Sequence, residues 1–206
     1  MILLPTLLLT ARNNLLNLAL FCQDASQNTH FTNPRNSLQN REFQGKTRRN
    51  KTMIKVLFIC HGNICRSTLA QSVFTHKVAS QGLSAHFLID SAATSTEEIG
   101  NPPHRGTVNK LRKVGIPLVP HRARQVTWAD YEKFDYIIGM DSANIRNLNR
   151  MLKGDPEGKI YKFLTFAGSD RDIADPWYTG NFDATYEDVL EGCVGFLAYL
   201  KEQGQI

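Results

Sequence analysis

Cysteine is scarce in this chain, with four in 206 residues. Cys22, Cys60, Cys65 and Cys193 are too few and too unevenly placed for a disulfide framework, which excludes a stapled secreted domain and favours a reduced, cytoplasmic setting. Long apolar runs are also missing. The opening stretch Met1 to Leu9 is soon interrupted by Arg12. It is too short to cross a bilayer and lacks the basic start of a secretory signal, so no membrane partner is expected. Acidic residues are nearly absent from the beginning of the chain. Residues 1–52 hold seven Lys and Arg against only Asp24 and Glu42; of the 24 basic and 19 acidic residues in all, 17 of each remain in 53–206 and cancel. The net charge of +5 therefore sits wholly in the first 52 residues, and the basicity gives no reason to expect a nucleic-acid partner for the rest. Internal repeats are lacking too, and compositional bias is confined to the Asn-, Gln-, Thr- and Arg-rich opening.

That imbalance divides the chain. Residues 1–52 read as a disordered or non-native extension, with Met53, directly before Ile54-Lys55-Val56, as the natural start; an organellar presequence is the alternative, since acids are so few. Residues 53–206 suffice for one compact core. Lys55–Cys60 reads as a buried strand, followed by a helix over 67–80 with Leu69, Ala70, Val73, Phe74 and Val78 on its apolar side. Phe87–Ala92 is a second strand. A helix over 104–114 stops at Gly115-Ile116-Pro117, and Thr127 caps a short helix through Lys133. Asp135–Met140 is a third strand, 142–152 a helix, and Ile160–Leu164 a fourth strand. In the last helix, over 183–203, Val189, Cys193, Phe196, Leu197 and Leu200 form a core-facing stripe. This alternation predicts an α/β fold, a parallel sheet covered on both faces, with ligands beyond the carboxyl ends of its strands.

Cys60 falls at such an end. The run Cys60-His61-Gly62-Asn63-Ile64-Cys65-Arg66-Ser67 leads from the first strand into the first helix, and its parts suit cysteine-based phosphoryl transfer. A free thiol has a pKa of about 8.5 and is a weak nucleophile at neutral pH. A ring of loop N–H groups, together with the start of the helix near Ser67, stabilises a thiolate and then the phosphoryl group it attacks. Gly62 leaves room for that approach, and Asn63 tolerates a left-handed backbone while tying the loop together. Arg66 offers a planar fork for two phosphate oxygens. The spacing of Cys60 and Arg66 also fits an ordinary core cysteine; the strand-loop-helix order is what favours a site.

Transfer from an aryl ester needs a proton for the leaving phenolate. Asp175-Pro176-Trp177-Tyr178 is the best source: an aspartate beside two aromatics can sit in a partly dry pocket, and Trp177 and Tyr178 can wall a slot for a ring. An ordinary Asp-Pro turn is the alternative.

Taken together, the loop run from Cys60 to Ser67 and Asp175-Pro176-Trp177-Tyr178 resemble the signatures of the low-molecular-weight protein tyrosine phosphatases over essentially 53–206. The resemblance implies a three-layer α/β/α domain with a four-stranded parallel sheet, a cysteinyl-phosphate intermediate, and neither metal nor cofactor. It assigns Cys60 as nucleophile, Arg66 as phosphate clamp and Asp175 as general acid and then base. His61, Gly62, Asn63, Ile64, Cys65 and Arg66 bind the phosphate. Ser67 hydrogen-bonds the thiolate, Asn63 braces the loop with Ser91 (placed after the second strand) and His121 behind it, and Asp141 supports the site. From the residues alone, His121 is a satisfied loop residue and Asp141 a helix N-cap. The resemblance also implies a reversible Cys60–Cys65 disulfide that protects the nucleophile.

Three other readings compete. Arsenate reductases of this fold share the loop but relay oxidation through a further pair of cysteines, whereas here Cys193 lies in a helical core stripe. Arginine-phosphate phosphatases place a small polar residue where Ile64 stands, and bulky Ile64 favours an aryl ring. A silent phosphotyrosine-binding module has no need to keep Cys60, Arg66 and Asp175 together. The expected substrates are phosphotyrosine proteins, met as a monomer or weak dimer, and the entrance residues His61, Thr94–Asn101 and Trp177 do not disclose which.

Overall fold

The computed structural model describes residues 53–206, and the expected extension over 1–52 lies outside the described residues. β1 (Ile54–Cys60) is central. It pairs in parallel with β2 (Phe87–Ala93) on one side and β3 (Tyr136–Gly139) on the other; β3 pairs in parallel with the edge strand β4 (Ile160–Lys162), giving the order β2-β1-β3-β4. The helices described are α1 (Arg66–Ser80), α2 (Arg105–Lys113), α3 (Trp128–Lys133), α4 (Ser142–Met151), α5 (Pro176–Thr179) and α6 (Phe182–Glu202).

Side chains alternate along a strand, so β1 feeds two cores. Val56, Phe58 and Cys60 pack on one face with Leu69 and Phe74 of α1, Leu111 of α2, and Val189 and Phe196 of α6. Leu57 and Ile59 pack on the other with Tyr131 of α3, Phe134 and Leu148 of α4. β3 repeats the pattern, Tyr136 and Ile138 joining the first cluster and Ile137 the second. Both faces are thus covered, which is why the sequence of β1 is apolar almost throughout. The result is the three-layer α/β/α sandwich.

The fourth strand is shorter than its apolar pattern suggests. The β3–β4 ladder stops at Gly139 against Lys162, and the chain turns at once into a 3₁₀ segment, Phe163–Ala167. Thr165 Oγ1 donates to Lys162 O at 2.6 Å, and Gly168, at φ 74°, closes the turn. Phe163 and Leu164 are buried there as helix-like core residues, and a short apolar run cannot distinguish the two outcomes. Phe163 meets Phe58 at 5.1 Å between ring centroids. Its approach to α6 requires glycine, since a Cβ on Gly192 would stand 2.9 Å from the ring.

Asp175-Pro176 begins a helix rather than an open turn. Asp175 Oδ1 accepts from Trp177 N at 3.1 Å, Pro176 fills the first helical position, and Gly180, at φ 69°, ends α5. No helix among the described residues is long and apolar enough to cross a membrane.

Candidate active site

Cys60 ends β1 opposite Ala93 of β2, and the next residues form a loop whose carbonyls are pinned by neighbours. Cys60 O accepts from Thr94 N (2.9 Å), His61 O from Ser95 N (3.0 Å), and Ile64 O from His104 N (2.8 Å). Cys65 O accepts from Leu69 N (3.0 Å) and Thr107 Oγ1 (3.3 Å). In a planar trans peptide the N–H points opposite to the C=O. Turning these four carbonyls toward residues 94–107 and α1 therefore directs the amides of His61, Gly62, Cys65 and Arg66 the other way. Thr94, Ser95, His104 and Thr107 do this work without any local signal near the loop that could have revealed them.

Asn63 ties the loop from inside. It is fully buried in the left-handed conformation, φ 58°. Its backbone N–H donates to Cys60 Sγ at 3.2 Å, and Nδ2 donates to Ser67 Oγ and to Ser91 Oγ, each at 2.9 Å. Oδ1 accepts from His121 Nε2 at 2.6 Å and from Arg124 N at 3.1 Å. Each hydroxyl is thereby oriented. Ser91 Oγ donates to Gln71 Oε1 at 2.7 Å. Ser67 Oγ, already accepting from Asn63, has its proton free for Cys60 Sγ, 3.0 Å away. Ser91 lies inside β2, paired with Phe58, rather than after the strand. Gln71 and Arg124 belong to this network and carry no motif that announces them. Arg124 donates to Asp130 (2.9 Å) and Asp90 (2.8 Å), which fixes the loop behind Asn63. Burial lowers the pKa of His121, with Asp90 opposing and Arg124 adding to the effect.

Arg66 is 2% exposed. Nη1 donates to Asp141 Oδ2 (2.5 Å) and Ile173 O (3.0 Å), and Nη2 donates to Asp175 Oδ2 (2.5 Å). Its Nε is buried without a partner. Burial opposes the guanidinium charge, but Cys60, Asp175 and Asp141 outweigh it and hold the pKa above its ordinary value. Asp141 Oδ1 caps α4 by accepting from Asn144 N at 2.6 Å, while Oδ2 accepts from the arginine. The Asp175 carboxylate, with its side chain 20% exposed, faces Arg66 in a cleft that Trp177 and Tyr178 also line, the two aromatics being 56% and 83% exposed.

A cleft of about 100 Å³ opens over the loop, lined by Cys60, His61, Gly62, Ile64, Cys65, Glu97, Glu98, Asp175, Trp177 and Tyr178. Ile64 and both aromatics thus share one cleft with Cys60. Glu97 and Glu98 were absent from the sequence-based site beyond their place in the 94–101 entrance. Cys60, Cys65 and Cys193 are free thiols and buried. Burial above all, with Cys60 and Asp175 adding, pushes the Cys65 thiol up to about 12, and burial raises Cys193 as well. Among the described residues, no group of three or more His, Cys, Asp or Glu is placed to hold a metal ion.

A cysteine at a strand end, a loop of inward amides, an arginine fork and an aspartate against it define a cysteine-centred phosphate-binding α/β domain. A sequence profile of the family "Low molecular weight phosphotyrosine protein phosphatase" matches residues 55–206. The low molecular weight protein-tyrosine-phosphatase YfkJ of Bacillus subtilis is 42% identical over 156 residues, covering 75% of this chain and 100% of that protein. The low molecular weight phosphotyrosine protein phosphatase of Mus musculus is 42% identical over 149 residues, covering 69% of this chain and 92% of that one. The crystal structure of YfkJ superimposes with a TM-score of 0.71, covering 73% of this chain and 96% of that one. The chain belongs to the low molecular weight phosphotyrosine protein phosphatase family, a family of hydrolases.

Proposed function

We propose that this chain hydrolyses phosphotyrosine in proteins, and aryl phosphates generally, through a phosphocysteine at Cys60. The observation that carries the reading is the arrangement around one sulfur and one guanidinium: Ser67 Oγ 3.0 Å from Cys60 Sγ, and Arg66 joined to Asp175 at 2.5 Å. Nε and Nη2 form one edge of the guanidinium. Nε has no partner and Nη2 holds only Asp175, so a phosphate taking that edge bidentately displaces the aspartate toward the leaving group.

The Cys60 thiolate attacks phosphorus while the P–O bond to the phenol breaks. Asp175, freed from Arg66 and protonated from solvent as the phosphate binds, gives that proton to the phenolate oxygen, and the transferring oxygens are held by the loop amides and Arg66. In the second step Asp175 accepts a proton from water as the water oxygen attacks phosphorus. The sulfur departs as thiolate, stabilised by the Ser67 hydroxyl, and inorganic phosphate is released. Neither step calls on a metal or cofactor, because the developing charge falls on Arg66 and the amides. On this reading residues 53–206 are the whole catalytic unit, acting as a monomer or weak dimer in the reducing cytoplasm, where Cys60 persists as a thiol.

The test is pre-steady-state hydrolysis of an aryl phosphate. A burst of phenol equal to the enzyme concentration, with acid-trapped phosphate on Cys60, is expected. Full turnover by Cys60→Ser would sink the reading. Assaying phosphotyrosine, phosphoarginine and arsenate side by side separates it from the other chemistries of this fold.

A further inference from the structure

The cleft that receives phosphate is lined by three acids, Glu97, Glu98 and Asp175, and by no lysine or arginine. Asp175 is consumed by Arg66. The two glutamates are not, and each is held in place at the mouth. Glu97 Oε2 lies 3.0 Å from His61 Nε2, with the pair 70% and 46% exposed. Glu98 Oε2 accepts from Asn101 Nδ2 at 2.6 Å. Its Cγ packs so closely on the loop that a Cβ on Gly62 would stand 3.1 Å from it. Behind the loop, Arg66 keeps its Nε buried without a partner while Nη2 draws the Asp175 carboxylate, so the guanidinium has a donor left for an anionic group.

An acidic mouth over an anion site is unfavourable for a bare dianion, because each carboxylate repels the incoming phosphate. A ligand that brings its own positive charge beside the phosphate cancels that repulsion and gains an attraction instead. A phosphotyrosine whose phosphate reaches the Cys60–Arg66 loop must bring its backbone out past Glu97 and Glu98, so its neighbouring side chains meet these carboxylates. Trp177 and Tyr178 line the same mouth with exposed aromatic faces, which also favour a cation.

Building on the phosphatase reading, we propose that Glu97 and Glu98 are specificity-determining residues that select phosphotyrosine flanked by lysine or arginine. The preference is electrostatic, exposed and therefore modest. It acts on encounter and binding more than on the chemical step.

The experiment measures kcat/KM for phosphotyrosine peptides that differ only in the residues flanking phosphotyrosine, carrying Lys, Ala or Glu, with a simple aryl phosphate alongside. The Lys peptide is expected to exceed the Ala peptide by about threefold to tenfold, and the Glu peptide to fall below it by a similar factor. The spread should shrink as salt is raised from about 0.01 to about 0.5 M, and in the Glu97→Gln/Glu98→Gln double variant the Lys-to-Glu ratio should fall toward one. Equal rates for the three peptides at low salt overturn the proposal, as does a ratio that survives the double substitution. If the double variant fails to fold, the salt dependence of the wild-type ratio decides. Failure to turn over the aryl phosphate is a separate result; it removes the phosphatase reading and this inference with it.

Discussion

Asp141 and Asp175 hold Arg66 in the same way from two sides. Each uses Oδ1 to cap a helix, accepting from Asn144 N at 2.6 Å and from Trp177 N at 3.1 Å, and each uses Oδ2 to accept from the guanidinium at 2.5 Å. The caps fix the carboxylates, and the carboxylates fix the arginine. The difference lies in the second bond on each arginine nitrogen. Nη1 also donates to Ile173 O, whereas Nη2 has Asp175 alone, so Asp175 is the side that can give way.

On the proposed reading, Asp175 and an incoming phosphate compete for one edge of Arg66. Replacing Asp175 with Asn removes a negative charge from that edge as well as the proton donor. Inorganic phosphate should inhibit Asp175→Asn more tightly by about tenfold, roughly 1.4 kcal/mol, while kcat on aryl phosphates falls by about two to four orders of magnitude. Inhibition constants and kcat measured on the same preparation check both. A drop in kcat under tenfold on a poor leaving group removes Asp175 from the acid role.

Asn63 combines a left-handed backbone with a buried network, and two substitutions separate these parts. Asn63→Ala leaves His121 Nε2 and Arg124 N without their acceptor and keeps the Cβ at φ 58° without the side-chain amide that lets asparagine tolerate that backbone. It should lose about 3 kcal/mol of stability in urea. Asn63→Gly loses the same bonds without the backbone strain and should be about 1 kcal/mol more stable than the alanine variant. Equal stabilities would mean that the positive φ carries no cost.

The three buried thiols should differ in reactivity, because the thiolate is the reactive form. Cys65, pushed up to about 12, and Cys193, raised by full burial, stay protonated at neutral pH. Iodoacetate at pH 7 should modify Cys60 first, phosphate should protect it, and Ser67→Ala should slow the reaction by about tenfold. Mass mapping of the labelled peptides reads all three effects. Modification of Cys65 ahead of Cys60 contradicts this order.

Burial lowers the pKa of His121 below its ordinary 6.5. The unfolded chain therefore binds more protons than the folded one just below that pH. The contribution of neutral His121 is complete above about pH 6.5 and is lost as the pH falls toward the folded value. The free energy of unfolding should decline from pH 7 to pH 5, and His121→Gln, which keeps an N–H donor, should flatten that slope. Parallel slopes for the two proteins would place the acid sensitivity elsewhere.

Much of this was legible in the sequence, for local reasons. Loop, strand and helix follow one another without a break from Ile54 to Ser80, so the order of Cys60, Asn63, Arg66 and Ser67 and their meeting in one loop depend only on neighbouring residues. Thr127 and Asp130 signal the start of α3 through bonds three residues apart. The length of β4 was not legible, because the ladder ends where β3 ends. Gln71 was hidden on a helix whose apolar pattern gives no hint of it; its role appears only when β2 brings Ser91 within 2.7 Å.

The sequence by itself determined that a parallel α/β core would carry a cysteine loop at the end of its first strand. Strand alternation and loop chemistry are written in adjacent residues, and the neutral charge of 53–206 is a matter of composition. Only the tertiary structure decided which carboxylates hold Arg66, since Asp141 and Asp175 lie 75 and 109 residues away along the chain. It also decided which way the loop carbonyls turn and which acids rim the cleft. Each of these follows from packing distant segments around one sheet, and no local propensity encodes that distance.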